Sequence, residues 1–442
     1  MNIQLSDHFN YKKLFLFTLP SVVMMVFTSV YCVVDGFFVS NFAGKTAFAA
    51  INLIMPFIMI LGGIGFMIGT GGSALVSYTL GTGDKEKANR YFSMMVYFTI
   101  LAGILLTVLG IIFVRPMAEL FGADESMMDT CVLYGRIVIA FNAAFMLQNI
   151  FQSFFVVAEK PRLGLIVTIA AGVTNMVLDA LFVGVFKWGI VGAALATGIS
   201  QSIGGLLPLL YFALPNNSPL QLTRTGFELA PLLKASSNGC SELMSNVASS
   251  LIGIVYNYQL MRLGGENAVA TYGVLMYIQF VFIAIFIGYS VGSAPIIGYH
   301  YGAGNFKELQ NMRRKSLKIM SISGVLMAIL GFTLAPVISA IFVGYDAELL
   351  SMTITAFRIF SFCFVLASIN IFTSSFFTAL GNGPISAAVS FLRVLVFQLS
   401  SVLILPILFG LNGIWLANIV AEIFAVIVSI SFLIAKRKKY HY

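Results

Sequence analysis

Apolar stretches long enough to cross a membrane recur about twelve times along the 442 residues, separated by short charged or Gly/Pro/Asn-rich breaks. A hydrocarbon core is roughly 30 Å thick, so each stretch can span it as a helix with some length to spare for tilt. The expected spans are 14–42, 47–79, 92–114, 131–157, 163–186 and 189–213, then 232–261, 268–298, 316–343, 350–379, 385–409 and 411–435. A chain with 59% hydrophobic and only 10% charged residues is excluded from the soluble classes, which fixes an all-α polytopic membrane protein.

The net charge of +8 follows membrane topology rather than a nucleic-acid surface. With the N-terminus placed in the cytoplasm, 18 of the 25 basic residues fall in cytoplasmic loops and tails, from Lys12 and Lys13 to Lys436–Lys439. Lys45, Arg115, Lys187 and Arg262 lie on the other side, and Arg136, Arg358 and Arg393 lie within spans. Both termini are therefore expected in the cytoplasm, in a cell inner membrane or plasma membrane. Cys32, Cys131, Cys240 and Cys363 are scattered without short spacing and imply neither a disulfide framework nor a zinc site.

An ungapped shift of 221 residues pairs Gly44 with Gly265, Met55 with Met276, Gly71 with Gly292, Tyr78 with Tyr299, Gly81 with Gly302 and Gly83 with Gly304. The chain thus divides into an N-lobe, 1–213, a cytoplasmic connector, 214–230, and a C-lobe, 231–442, each lobe carrying six spans. Parallel repeats of this kind are a transporter signature. The glycines of span 2, from Gly62 to Gly72, have no preceding strand and suit close helix approach rather than a dinucleotide loop.

Ionisable residues inside spans are costly and by default mark an ion or substrate pathway. Asp179 interrupts the apolar run from Leu163 to Phe186, and Asn175, four residues earlier, shares its helix face. Asp35 interrupts span 1. Its repeat partner is Tyr256, and Asp179 has no acid counterpart in span 11, so the paired acids belong to the N-lobe alone. In the C-lobe, Glu242 opens span 7 within a polar run and is a candidate partner for a cationic substrate, with Tyr256 and Met276 as further cleft candidates. Arg393 and Glu422 are expected to pair with each other across spans 11 and 12. Pro20 removes a backbone hydrogen bond inside span 1 and can act as a hinge there.

These residues resemble the multidrug and toxic compound extrusion (MATE) family of antiporters over essentially the whole chain. The resemblance is carried by Pro20 with Asp35, by Ala49-Ala50-Ile51-Asn52 before Pro56, by Gly71-Gly72-Ser73-Ala74 with Leu80-Gly-Thr-Gly83, and by Asn175 with Asp179 and Thr197. It implies two lobes around a central cleft, alternating access, and export of organic cations driven by inward Na⁺ or H⁺. It also implies a cation site at Asp35, Asn175, Asp179 and Thr197. The family branch that adds an acid in span 10 is matched by Glu242 in span 7 but not in span 10, which offers Arg358 and Asn370 instead.

Neutral oxygens from Asn175 and Thr197 favour Na⁺ over H⁺ as coupling ion, since a hard cation needs several oxygen ligands and a proton does not. No other cofactor is expected, and the partners are a drug-like organic cation and the bilayer, with the protein acting as a monomer. The competing transport assignment is a flippase for lipid-linked oligosaccharides, which has similar lobes and an arginine-rich cavity. An enzyme would need a catalytic set, and His8, His300 and His441 are dispersed with no base beside a Ser or Cys.

Overall fold

The computed structural model describes residues 3–43 and 45–442; Gly44, the repeat partner of Gly265, lies outside them, as does the side chain of Lys45. The first half consists of α1 (Tyr11–Phe38), α2 (Lys45–Gly81), α3 (Lys85–Leu120), α4 (Glu125–Ala140), α5 (Asn142–Val157), α6 (Pro161–Asp179) and α7 (Gly189–Ala213). The second consists of α8 (Leu229–Gly302), α9 (Phe306–Val343), α10 (Ala347–Ser361), α11 (Cys363–Ala379), α12 (Gly383–Phe391), α13 (Leu399–Phe409) and α14 (Leu411–Tyr440). Short π-helical turns follow α1 (Val39–Ala43), follow α6 (Ala180–Val185) and join α12 to α13 (Leu392–Gln398).

Among the described residues nine helices are long and apolar enough to cross a membrane, eleven when two bent pairs count as one span each. α8 breaks at Gly265, whose φ of 63° only glycine adopts without strain, so it supplies two antiparallel spans and brings the total to twelve. The bent pairs are α4 with α5, at 55°, and α10 with α11, at 45°. Their breaks fall at Phe141 and Phe362, again 221 residues apart.

The same shift governs how the halves meet. A Cβ at Gly81 would collide with the Tyr299 carbonyl oxygen, and one at Gly302 with the Tyr78 carbonyl oxygen, two contacts that exchange under the 221-residue shift. Gly71 likewise lies against Ala235 and Gly239, and Gly292 against Thr18, where an added Cβ would sit 3.1 Å from the Thr18 Cα. Small residues at these crossings let backbones touch, and the halves are sealed along them at the face that carries both termini. Gly83 and Gly304 then take positive φ, and Asp84 and Asn305 cap the next helices through the Lys87 and Glu308 amides.

The N-terminal segment is more than the polar lead-in that its composition suggests. Leu5, Phe9, Leu14 and Phe17 are buried in the hydrophobic core of the second half. The segment also ties the halves together, because the Leu5 amide donates to Glu159 Oε1 at 2.7 Å and the Phe9 amide to Glu308 Oε1 at 3.0 Å. Glu308 also holds His8 Nδ1 at 2.6 Å, and Lys315 Nζ donates to the Phe9 carbonyl at 2.7 Å. The repeat partners α3 and α9 lie outermost, exposing Leu101, Ile104, Leu105 and Ile112 on one and Ile322, Val325, Leu326 and Ile329 on the other, as lipid contact requires.

Candidate functional site

Thr168, Ala171, Gly172, Asn175 and Asp179 form the buried stripe of α6 at helical spacing. Gly172 lets α1 come close: a Cβ there would lie 2.5 Å from Phe27 Cε1 and 2.7 Å from Tyr31 Cδ1. Tyr31 stands one turn before Asp35 and Gly172 two turns before Asp179, so the close approach of Tyr31 to Gly172 brings the stretches that carry the two acids together. The two carboxyl groups face each other at hydrogen-bonding range. Yet Asp35 Oδ1 and both Asp179 oxygens are buried with no hydrogen-bond partner. Both observations hold because two carboxylates are both acceptors: contact between them becomes a bond only when a proton or a cation lies between. Among the described residues no ion pair reaches either acid.

Each acid sits beside a π-helical turn. One begins four residues after Asp35 and the other directly after Asp179, and the two turns touch. Such turns disturb the regular backbone ladder and occur often at functional sites.

Of the predicted companions, Asn175 lies one turn before Asp179 on the same buried stripe of α6, and Thr197 lies on the neighbouring α7. Asn175 Oδ1 and Thr197 Oγ1 are buried and unpartnered, and α7, which carries Thr197, packs along α6. No cluster of three or more His, Cys, Asp or Glu that could hold a metal occurs among the described residues, so a cation here would be held by two carboxylates plus amide and hydroxyl oxygens. Several further residues were not singled out by the sequence. Gln148, Gln152 and Gln201 each bury an unpartnered Oε1, Tyr31 faces the Gln148 amide, and the fully buried Tyr134 lies near both aspartates. Gly204 makes room for Gln148, since a Cβ there would be 2.7 Å from its Cδ. The available signal was spacing, because Gln148 with Gln152 and Thr197 with Gln201 are i, i+4 pairs.

A cavity of about 250 Å³ lies between the halves, walled mainly by the second half through Glu242, Ser245, Asn370, Ser374, Arg393 and Glu422 and closed by Phe66, Thr70, Ser73 and Ser153 of the first. Its polar groups are largely completed. Arg393 donates to Glu422 Oε1 through Nε at 2.8 Å and Nη2 at 2.6 Å, as expected, and Asn370 Nδ2 donates to Oε2 at 2.7 Å. Ser429 Oγ in turn donates to Asn370 Oδ1 at 2.7 Å. Glu242 lines the cavity near Arg393, without a hydrogen bond among the described residues. Tyr256 and Met276 are not among its walls. Tyr256 stacks on Tyr272 at 4.8 Å with its hydroxyl unpartnered, and Met276 packs against the same core. Arg136 and Arg358 are exposed away from the cavity, leaving it a single, neutralised arginine. Pro20 is buried within an unbroken α1, on the stretch where Thr18 and Val22 lie against Gly292 and Gly288 of α8.

Twelve spans in two repeated lobes, with unpaired acids in one and a polar cavity between the two, define a multi-span membrane transporter. The MatE family model matches residues 20–181 and 243–404, so the chain belongs to the MatE family, and the model matches each half once. The multidrug export protein MepA of Staphylococcus saprophyticus is 24% identical over 92% of this chain and 88% of its own length. MepA of Staphylococcus aureus strain MRSA252 is 23% identical over 93% of this chain and 91% of its own length. A solved structure described as the outward-facing conformation of a multidrug resistance MATE family transporter superimposes with a TM-score of 0.92 at 22% identity, covering 98% of this chain and 97% of that one.

Proposed function

We propose that this protein is a cation-coupled multidrug exporter, using the Asp35–Asp179 pair with Asn175 and Thr197 to bind the coupling ion. The observation that carries the proposal is the meeting of the fully buried Asp179 with the half-buried Asp35, with no cationic side chain paired to either among the described residues. Burial without compensation costs several kcal/mol, so a captured cation or proton supplies what the fold leaves out. The names of the MepA relatives support drug export. Orphaned neutral oxygens on Asn175 and Thr197 favour Na⁺, with H⁺ competing for the same carboxylates.

The cleft chemistry suits an organic cation. Glu422 neutralises Arg393, so Glu242 leaves the cavity with an uncompensated negative charge to meet a positive substrate. The terminus face, where most basic residues gather, is the cytoplasmic one, and the lobes divide at 213 and 231. α1 links the two events. Its first half lies in the C-lobe core and on α8, its second half packs on α6, and Pro20 stands between Thr18 and Val22, which lie against Gly292 and Gly288 of α8. Ion capture at Asp35 can thus bend α1 and loosen the cytoplasmic seal.

Everted vesicles loaded with an imposed Na⁺ gradient at constant pH test this directly: ethidium should move, and Asn175→Ala or Thr197→Ala should weaken the Na⁺ dependence about tenfold, the worth of one oxygen ligand at ~1.4 kcal/mol. Transport that follows a pH gradient and ignores Na⁺ removes the Na⁺ assignment and leaves the aspartates in place. The flippase assignment calls for an arginine-rich cavity, and among the described residues that line the 250 Å³ cavity the one arginine, Arg393, is already bonded to Glu422.

A further inference from the structure

A second cavity, of about 270 Å³, lies at the terminus face where the lobes meet. Tyr78 enters it from α2, and Lys234, Asn238, Tyr301, Lys439 and Tyr440 from the other lobe; no carboxylate lines it. Two ammonium groups are held at its walls by aromatic rings: Lys234 Nζ stands 6.0 Å from the centre of the Tyr78 ring, across the lobe boundary, and Lys439 Nζ 5.4 Å from Tyr440. Neither lysine makes an ion pair among the described residues. Tyr301 bridges the walls, its ring 5.6 Å from both Tyr78 and Tyr440.

The floor of the cavity adds an independent sign of a ligand. Asn238 is only 4% exposed, and its Nδ2 donates to the Thr378 carbonyl at 2.7 Å. That bond fixes the amide orientation and leaves the buried Oδ1 without a partner. Two cationic residues and a buried acceptor that needs a donor therefore line one cavity. A hydroxyl-bearing phosphate ester satisfies both, its phosphate between the lysines and a hydroxyl donating to Asn238.

We propose that this cavity binds a phosphate ester carrying free hydroxyls, such as the glycerophosphate headgroup of an anionic lipid or a soluble sugar or glycerol phosphate. The ligand bridges the lobes. It touches Tyr78 on one and Lys234, Asn238 and Lys439 on the other, so it stabilises the state in which the cytoplasmic seam is closed. The inference takes from the proposed function only that this face is cytoplasmic, and binding can be measured without any transport.

The test uses the full-length protein purified in a neutral detergent, with thermal unfolding followed against three probes: dihexanoyl phosphatidylglycerol, dihexanoyl phosphatidylcholine and glycerol 3-phosphate. Stabilisation by phosphatidylglycerol but not phosphatidylcholine is expected, with the effective concentration rising about tenfold in Lys234→Gln/Lys439→Gln and unchanged in Lys234→Arg/Lys439→Arg. Asn238→Ala should weaken both glycerol-bearing probes. Equal stabilisation by glycerol 3-phosphate identifies a soluble source, and its failure beside a phosphatidylglycerol effect identifies the lipid. No stabilisation by either phosphate ester, an equal response to phosphatidylcholine, or a response untouched in the Gln variant overturns the proposal. Isotope-labelled glycerol 3-phosphate binding by equilibrium dialysis serves if the Gln variant unfolds early, with the Arg variant as its control.

Discussion

The N-lobe buries Asp35 and Asp179 with unsatisfied oxygens around them, while the C-lobe buries Glu422 inside a finished network of Arg393, Asn370 and Ser429. The two lobes share matched glycine crossings and matched bends at Phe141 and Phe362, so the contrast belongs mainly to side chains, with the π-helical turns falling at different repeat positions in the two halves. One half holds acids whose oxygens are left unsatisfied, and the other holds an acid bonded by its own side chains. The lesson is that a buried carboxylate is informative through its partners: with an arginine it is structural, and without one it needs a visitor.

Breaking the finished network should produce the largest stability effect. Arg393→Ala strands Glu422 and should cost about 3–5 kcal/mol, seen as a lowered unfolding temperature of the purified protein, whereas Arg393→Met with Glu422→Leu should recover most of it. Asp179→Asn should keep or raise that temperature, because it removes one of two facing charges. Equal losses in the two lobes would erase the contrast.

Next in size is the seam. Gly302→Val must displace the Tyr78 carbonyl, and overpacking of this kind costs about 1–3 kcal/mol. A cysteine placed at the buried Ser77, which lies against Gly298 across the seam, should then label faster from the face that carries both termini; unchanged labelling would mean that the seam does not open there. Pro20→Ala should slow turnover about threefold while substrate affinity stays nearly constant, since a stiffened α1 affects motion more than the ground state. Equal effects on both would indicate a static bend. The smallest effect is expected at Gln148→Leu, where removing a buried unpartnered acceptor should stabilise the fold by about 1 kcal/mol and weaken Na⁺ dependence if the amide serves the ion.

Much of this frame was legible in the sequence because the responsible residues are hard to disguise. Glycines repeated 221 positions apart mark the crossings, and a charge in an apolar run has few reasons to be there. Span 6, expected at 189–213, is α7 as observed. Other features left no such mark. Gln148, Gln152 and Gln201 are neutral and common enough in membrane helices to pass unnoticed until their buried oxygens are found unpaired. The π turns beside the aspartates leave no residue signature, since they depend on how neighbouring helices press on the backbone. Leu5 and Phe9 are set among Gln4, Ser6, Asp7, His8 and Asn10, which mask them as part of a polar lead-in, and only the fold shows them packed into the core of the second half.

The central claim is that the N-lobe acids couple an ion to export. Ethidium accumulation in everted vesicles under an imposed Na⁺ gradient, compared among the native protein, Asp35→Asn and Asp179→Asn at matched membrane insertion, measures it most directly. Each variant should lose gradient-driven accumulation by about a hundredfold, as loss of a charge-assisted ligand worth ~3 kcal/mol implies, while still binding ethidium. Full accumulation by either variant would contradict the claim.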